Sequence, residues 1–253
     1  MISLIIIIMG PAGSGKTALT SALGKWIEEF QGLSVSYINL DPGAEFIPYK
    51  PCFDIRKIFT IRDIMIKDNL GPNGAMIKAS ELMAQIAPKI VSELRSLNTD
   101  VLLVDTPGQS EIFIFRPSGP KIISHMKNLA PTVGLYLVDS TLSPFASEAV
   151  ISILMGLVVQ LRLDIPVLPV MSKADLIKEK SSYSLTLELN KVKDLAQTEL
   201  KGVISEFIAE LVDVFIDYLP PIRIVRVSSK TMEGMEDLYS LIHETFCTCG
   251  DLT

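Results

Sequence analysis

The chain has 253 residues, 48% of them hydrophobic, and a formal net charge of −6. That is enough apolar material for one large core, and it excludes whole-chain disorder; the negative balance argues against broad binding to nucleic acid or an anionic membrane. Cys52, Cys247 and Cys249 are too few and too irregular for a disulfide framework, so a reducing compartment, the cytoplasm, is expected. Cys247 and Cys249, with only two histidines in the chain, make a poor zinc site and read as part of a frayed tail. The longest apolar run, 149–159, is too short to span a membrane. The first apolar run lacks a basic leader, so no secretory signal is expected.

The first expected strand, 4–8, leads directly into Gly10-Pro-Ala-Gly-Ser-Gly-Lys16-Thr17, which fits G-x-x-x-x-G-K-[ST] at every constrained position. A helix over 17–30 follows. In this order the glycines let backbone N–H groups converge on phosphate oxygens, and the helix turns its positive end to the same anion. Gly13, Ser14, Gly15, Lys16, Thr17 and Ala18 are therefore the candidate phosphate cradle. Lys16 is placed to reach the β- and γ-phosphates, and the Thr17 hydroxyl to help hold Mg²⁺.

The second expected strand, 35–39, ends near Asp41-Pro42-Gly43. A carboxylate there can position water beside a γ-phosphate or stand behind a bound Mg²⁺; an Asp-Pro turn fits the same residues equally well. Gly71-Pro72-Asn73 reads by itself as a turn between two helices, the second expected over 75–97. The next strand, 101–104, runs into Asp105-Thr-Pro-Gly-Gln109. Asp105 at the strand's carboxyl end can hold Mg²⁺ directly or through water, and Gly108 can bring its N–H to a γ-phosphate. Gln109 can orient attacking water, with Glu111 near enough in sequence to assist.

Strands over 133–138 and 167–171 flank a helix over 147–162, and the second strand leads into Ser172-Lys-Ala-Asp175. Asp175 can accept from guanine's N1–H and exocyclic amine while the Lys173 stem covers the base. Adenine offers no such donors on that edge, so the pair would select GTP over ATP. A long helical region over 185–218 is expected within an insertion at about 181–218, closed by Pro220-Pro221 before a last strand, 222–227. Ser228, Ser229 and Lys230 then serve either as a helix cap or as contacts to the base carbonyl. A helix over 235–246 closes the chain.

Short apolar runs alternating with helical patterns specify an α/β fold: a mostly parallel central sheet flanked by helices, in a single domain over 1–253 with a helical insertion. Taken in order, the pieces resemble the GPN-loop GTPases, a family in the SIMIBI class of P-loop proteins. D-P-G at 41–43, G-P-N at 71–73 and D-T-P-G-Q-x-E at 105–111 carry the resemblance, which runs from Gly10 to Lys230. It implies Mg²⁺-dependent hydrolysis of GTP to GDP and phosphate, with Thr17 and Asp105 on the metal and Asp41, Gln109, Glu111 and Asn73 as catalytic candidates. It also implies a homodimer or pseudo-symmetric heterodimer, in which Asn73 of one protomer reaches the partner's γ-phosphate. A protein client in the transcription machinery, served by an assembly factor or molecular switch, belongs to the same implication. Two positions depart from wider patterns: Pro11 stands where many SIMIBI members carry a second lysine, and Ser172 replaces the commoner Asn. The chain stops soon after its last helix, without the long acidic tail of some eukaryotic relatives, so tail-dependent partners are not expected. The rival readings are a nucleotide-dependent binding module with incidental turnover, and a P-loop ATPase or small-molecule kinase.

Overall fold

Strand β1 (Leu4–Met9) is buried at every position, and its pleat divides it between two helical layers. Leu4, Ile6 and Ile8 pack on one face; Ile5, Ile7 and Met9 pack on the other. Truncating one such side chain costs about 2–5 kcal/mol, a large share of a domain's total stability. The strand that launches the glycine loop is thus among the most firmly held elements. The computed structural model describes residues 1–139, 141, 145–176, 186–188, 193–194, 198, 201–218 and 223–246.

On one side of β1 lie β4 (Val101–Asp105), β2 (Val35–Asn39) and β3 (Phe53–Asp54). On the other lie β5 (Thr132–Asp139), β6 (Val167–Ser172), β8 (Arg223–Arg226) and β7 (Thr186–Glu188). Among the described residues the sheet order is β3-β2-β4-β1-β5-β6-β8-β7. Seven strands run parallel, and β7 pairs antiparallel with β8 at the edge. The chain builds outward to β3, returns to β4, and then crosses β1 to continue at β5. That reversal opens a crevice at the strands' carboxyl ends, where doubly wound sheets bind ligands.

Helices α1 (Lys16–Trp26) and α8 (Met235–Glu244) cover the Leu4–Ile6–Ile8 face. The other face is covered by α3 (Pro72–Leu94), α4 (Ser110–Phe115), α5 (Ser118–Met126) and the end of α6 (Phe145–Leu163). Helix α2 (Ile61–Asp68) starts with a capping box between Thr60 and Asp63, and sets Ile64 against Ala75 and Ala79 of α3. Helix α7 (Val203–Tyr218) packs Ile208, Val212 and Phe215 on Val150 and Ile153 of α6.

The parallel sheet and its flanking helices match the expected class. The helical region expected over 185–218 is interrupted: Thr186–Glu188 is a strand that pairs with β8, Lys193, Asp194 and Thr198 are helical, and α7 begins at Val203 after a break at 201–202. Leu187 and Thr186 follow the polar–apolar alternation of an edge strand, a pattern too short to outweigh the helical composition around it. Helix α3 starts three residues earlier than expected, because Pro72 suits a first helical position and Gly71 caps it. Ile222, Pro220, Pro221, Cys247, Cys249 and much of 181–202 lie outside the described residues. No helix among the described residues is long and apolar enough to cross a membrane.

Candidate functional site

The glycine loop leaves β1 at Gly10, whose φ of 148° is open only to glycine at no steric cost. An added Cβ there would lie 2.5 Å from the Leu137 carbonyl oxygen on β5, so the loop is pressed against the sheet. Gly15, at φ 90°, turns the chain into α1. Ser14 is buried and its Oγ has no hydrogen-bond partner. A buried, unsatisfied hydroxyl inside a loop of this kind suits an oxygen-rich ligand such as a phosphate.

Lys16 is buried, and its Nζ donates to three carbonyl oxygens: Gly10 at 2.8 Å, Pro11 at 2.9 Å and Gly108 at 2.7 Å. Burial lowers the amine's pKa, while the charges of Asp105, Asp41 and Glu111 oppose that shift. Asp41 faces the same space. Its Oδ1 accepts from the Gly43 N–H at 2.8 Å and its Oδ2 from the Gly108 N–H at 2.9 Å. Burial pushes this carboxyl up, against the two amides, Lys16 and Arg56. Gly108 therefore joins the lysine, through its carbonyl, to the carboxylate, through its N–H.

Asp105 ends β4 fully buried, with its Oδ2 accepting from the Tyr49 hydroxyl at 2.7 Å. Burial pushes it up to about 6, with Tyr49 and Thr17 acting in the opposite sense. Its Oδ1 has no hydrogen bond of ordinary geometry. An orphaned carboxylate oxygen next to a threonine hydroxyl, at the mouth of a phosphate loop, fits a hard divalent cation such as Mg²⁺. No group of three or more His, Cys, Asp or Glu stands ready to hold a metal among the described residues. Mg²⁺ suits such a sparse set, since it is usually held by one or two carboxylates together with phosphate oxygens and water.

Four residues here were not anticipated. Tyr49 stacks on Tyr37 with ring centroids 5.0 Å apart, which aims its hydroxyl at Asp105. Asn39 donates to Asp54 Oδ1 at 2.9 Å and accepts from the Asp41 N–H at 3.0 Å. Arg56 grips Asp54 through Nε and Nη2, and bonds the Ala44 carbonyl at 2.9 Å. Burial alone would raise the Asp54 carboxyl, but Arg56 and Asn39 hold it below the usual range. Together they brace the turn that carries Asp41. The Asp54-x-Arg56 pair, starting on the last residue of β3, was the available signal.

The base-reading candidates converge at the ends of β6 and β8. Asp175 Oδ1 accepts from Ser228 Oγ at 2.7 Å, and Ser228 Oγ in turn accepts from the Lys230 and Thr231 N–H groups at 3.2 and 3.1 Å. Ala174 N–H donates to the Val227 carbonyl at 3.1 Å. Lys173 reaches sideways to Asp139, at the end of β5. Ser172 is buried and bonds the Val138 carbonyl at 3.1 Å, whereas Ser229 is half-buried on the following turn.

Gln109 is half-buried at the start of α4 and shares a small apolar cavity with Asp41, Pro107, Met76 and Met83. Glu111 is exposed on the first turn of α4. Asn73 is not gathered into this cluster; it is exposed at the second position of α3, beside Pro72. Thr17 is half-buried and Ala18 exposed on the first turn of α1.

A family model described as "Conserved hypothetical ATP binding protein" matches residues 8–248. The chain is 32% identical over 257 residues to GPN-loop GTPase PAB0955 of Pyrococcus abyssi, covering 99% of this chain and 100% of that one. It is 31% identical over 208 residues to GPN-loop GTPase 3 of Dictyostelium discoideum, covering 82% of this chain and 70% of that one. The crystal structure of PAB0955, described as a GTPase in apo form, superposes with a TM-score of 0.81 at 28% identity, over 97% of this chain and 98% of that one.

Proposed function

Because the chain belongs to the GPN-loop GTPase family and is a GTPase, we propose that it hydrolyses GTP with Mg²⁺ in a site completed by a second copy of the chain. The observation that carries the hydrolysis reading is the Lys16–Gly108–Asp41 relay, whereas the shared site rests on the motif resemblance and the exposed Asn73. The three relay groups bond one another where the proposal puts a γ-phosphate. An incoming phosphate takes the Lys16 amine from the Gly108 carbonyl, and the Gly108 N–H is then free to turn from Asp41 to a phosphate oxygen. Asp41, released, accepts a proton from water and orients it, with Gln109 and Glu111 on the adjoining helix start. Backbone amides of Gly13 to Ala18 bind the phosphates from α1's positive end.

Thr17 and Asp105 would hold Mg²⁺, which when bound supplies charge neutralisation on the phosphate oxygens. Asp175, Ser228, Ser229 and Lys230 would read guanine, beside Ser172 and Lys173. Asn73 is exposed on a proline-stiffened helix start, which suits delivery of its amide to a partner's phosphate. Since the relay joins the turn after β2 to the loop after β4, nucleotide state changes both segments together. That coupling suits a switch or assembly factor in the cytoplasm; a client in the transcription machinery is proposed on the motif resemblance.

Phosphate release from GTP and ATP, measured with Mg²⁺ across a protein dilution series, tests the proposal. GTP-selective turnover that falls per protomer on dilution supports it. Equal use of ATP defeats the guanine assignment, and turnover independent of dilution down to the lowest measurable concentration counts against the shared site.

A further inference from the structure

Lys173 is held in the left-handed region at φ 61°, a conformation that costs a non-glycine residue roughly 1 kcal/mol and needs outside support. That support is visible. Its Nζ pairs with Asp139 Oδ2, and Asp139 Oδ1 accepts from both the N–H and the hydroxyl of Thr141, at 3.0 and 2.7 Å. Asp139 and Ser172 are direct partners across β5 and β6, so the ion pair bridges two neighbouring strand ends. The Asp139 side chain is only 10% exposed, which limits its alternatives to this one arrangement. β5 is also the strand against which Gly10 is pressed. Asp139 thus stands between the phosphate loop and the segment 172–175, yet it belongs to neither motif.

We propose that Asp139 is a positioning residue for the nucleotide base. By tethering the Lys173 amine to the end of β5, it holds the lysine's methylene stem as one wall of the base slot. The inference rests on the reading of Ser172–Asp175 as the base-reading segment. A tethered stem presents a fixed apolar face to a flat purine, and it closes the slot around the hydrogen bonds to Asp175. An untethered stem must be ordered by the nucleotide on every binding event, so affinity falls while the phosphate chemistry stays intact.

The test is steady-state turnover of GTP and ITP by the full chain and by Asp139→Asn, with melting temperatures recorded alongside. ITP lacks the exocyclic amine and keeps the N1–H, so it separates the stem's contribution from the Asp175 contact to that amine. Asp139→Asn is expected to raise KM for GTP and ITP by the same factor, roughly fivefold, with kcat held within about twofold; that is the size of a partly exposed ion pair. Lys173→Met keeps the stem and removes the charge, so it should reproduce the effect, and the double variant should add nothing further. It also stands in as the test if Asp139→Asn fails to fold. Unchanged KM in folded variants overturns the inference. A loss confined to GTP also overturns it, since Asp139 would then act on the amine itself. Asp175→Asn checks the premise separately: it should shift preference to xanthosine triphosphate. If it does so while Asp139→Asn changes nothing, only the tether fails; if it does not, the base-reading assignment fails.

Discussion

The Gly108 N–H donates to Asp41 Oδ2 at 2.9 Å, tying residues 67 positions apart in sequence. Asp41 is buried enough that its carboxyl is pushed up, yet two backbone amides and the nearby Lys16 charge keep it engaged. The bond engages the backbone donor that the proposed function assigns to a phosphate oxygen. The carboxylate proposed to position water is thus bonded to the same loop that the Lys16 amine reaches.

Asp41→Asn keeps the turn's size and removes the charge. The expected outcome is a kcat for GTP lower by roughly a hundredfold, the scale of a lost acid–base group, with GDP affinity within about threefold. Single-turnover hydrolysis with a fluorescent GDP titration separates the two. Full turnover in this variant would leave water positioning to Gln109 or Glu111.

Tyr49→Phe deletes the hydroxyl that bonds Asp105 and retains the ring that stacks on Tyr37. Denaturant unfolding of the nucleotide-free chain should show a loss of about 1 kcal/mol. Mg²⁺ affinity, read by fluorescent nucleotide, should rise, because the phenol no longer competes for the carboxylate. Weaker Mg²⁺ binding would mean that the phenol supports the metal-bound arrangement instead.

Asp105 carries a stability cost with a definite sign. Its carboxyl is pushed up to about 6 by burial, above its ordinary value. Between about pH 4 and 6 the folded chain then holds more proton on this group than the unfolded chain does, so this residue's contribution to stability falls as pH rises through that window. Above pH 6 the charged form is disfavoured by roughly 3 kcal/mol. Asp105→Asn should raise the melting temperature of the metal-free chain near pH 7.5 and flatten its pH dependence between 4 and 6. A variant less stable than wild type at pH 7.5 would contradict this.

Much of the architecture was legible because β1, β4, β5 and β6 are apolar at nearly every position, as only strands covered on both faces are. The phosphate loop and the Asp105 segment were legible because backbone geometry fixes their residue types. β7 was hidden because three residues cannot show a period; a helix before Gly71 was expected, but its bounds were not, because its apolar face is narrow and the Thr60-x-x-Asp63 box was its one clear signal. Tyr49 and Asp139 were invisible for another reason. Each acts through a partner distant in sequence or on a neighbouring strand, and only the folded sheet brings Tyr49 to Asp105 or Asp139 to Lys173.

A site shared between two chains is tested most directly by mixing two impaired variants. Lys16→Ala removes the amine that now bonds three carbonyls and should abolish turnover at its own phosphate loop, while Asn73→Ala keeps that loop and lacks the amide owed to its partner. GTP turnover should reappear when the two proteins are mixed and allowed to exchange, because one site in each mixed dimer then holds both Lys16 and a partner's Asn73. A mixture no more active than the sum of its parts, with mixed dimers demonstrated, would contradict the account and make the loop of residues 71–73 a structural feature of its own chain.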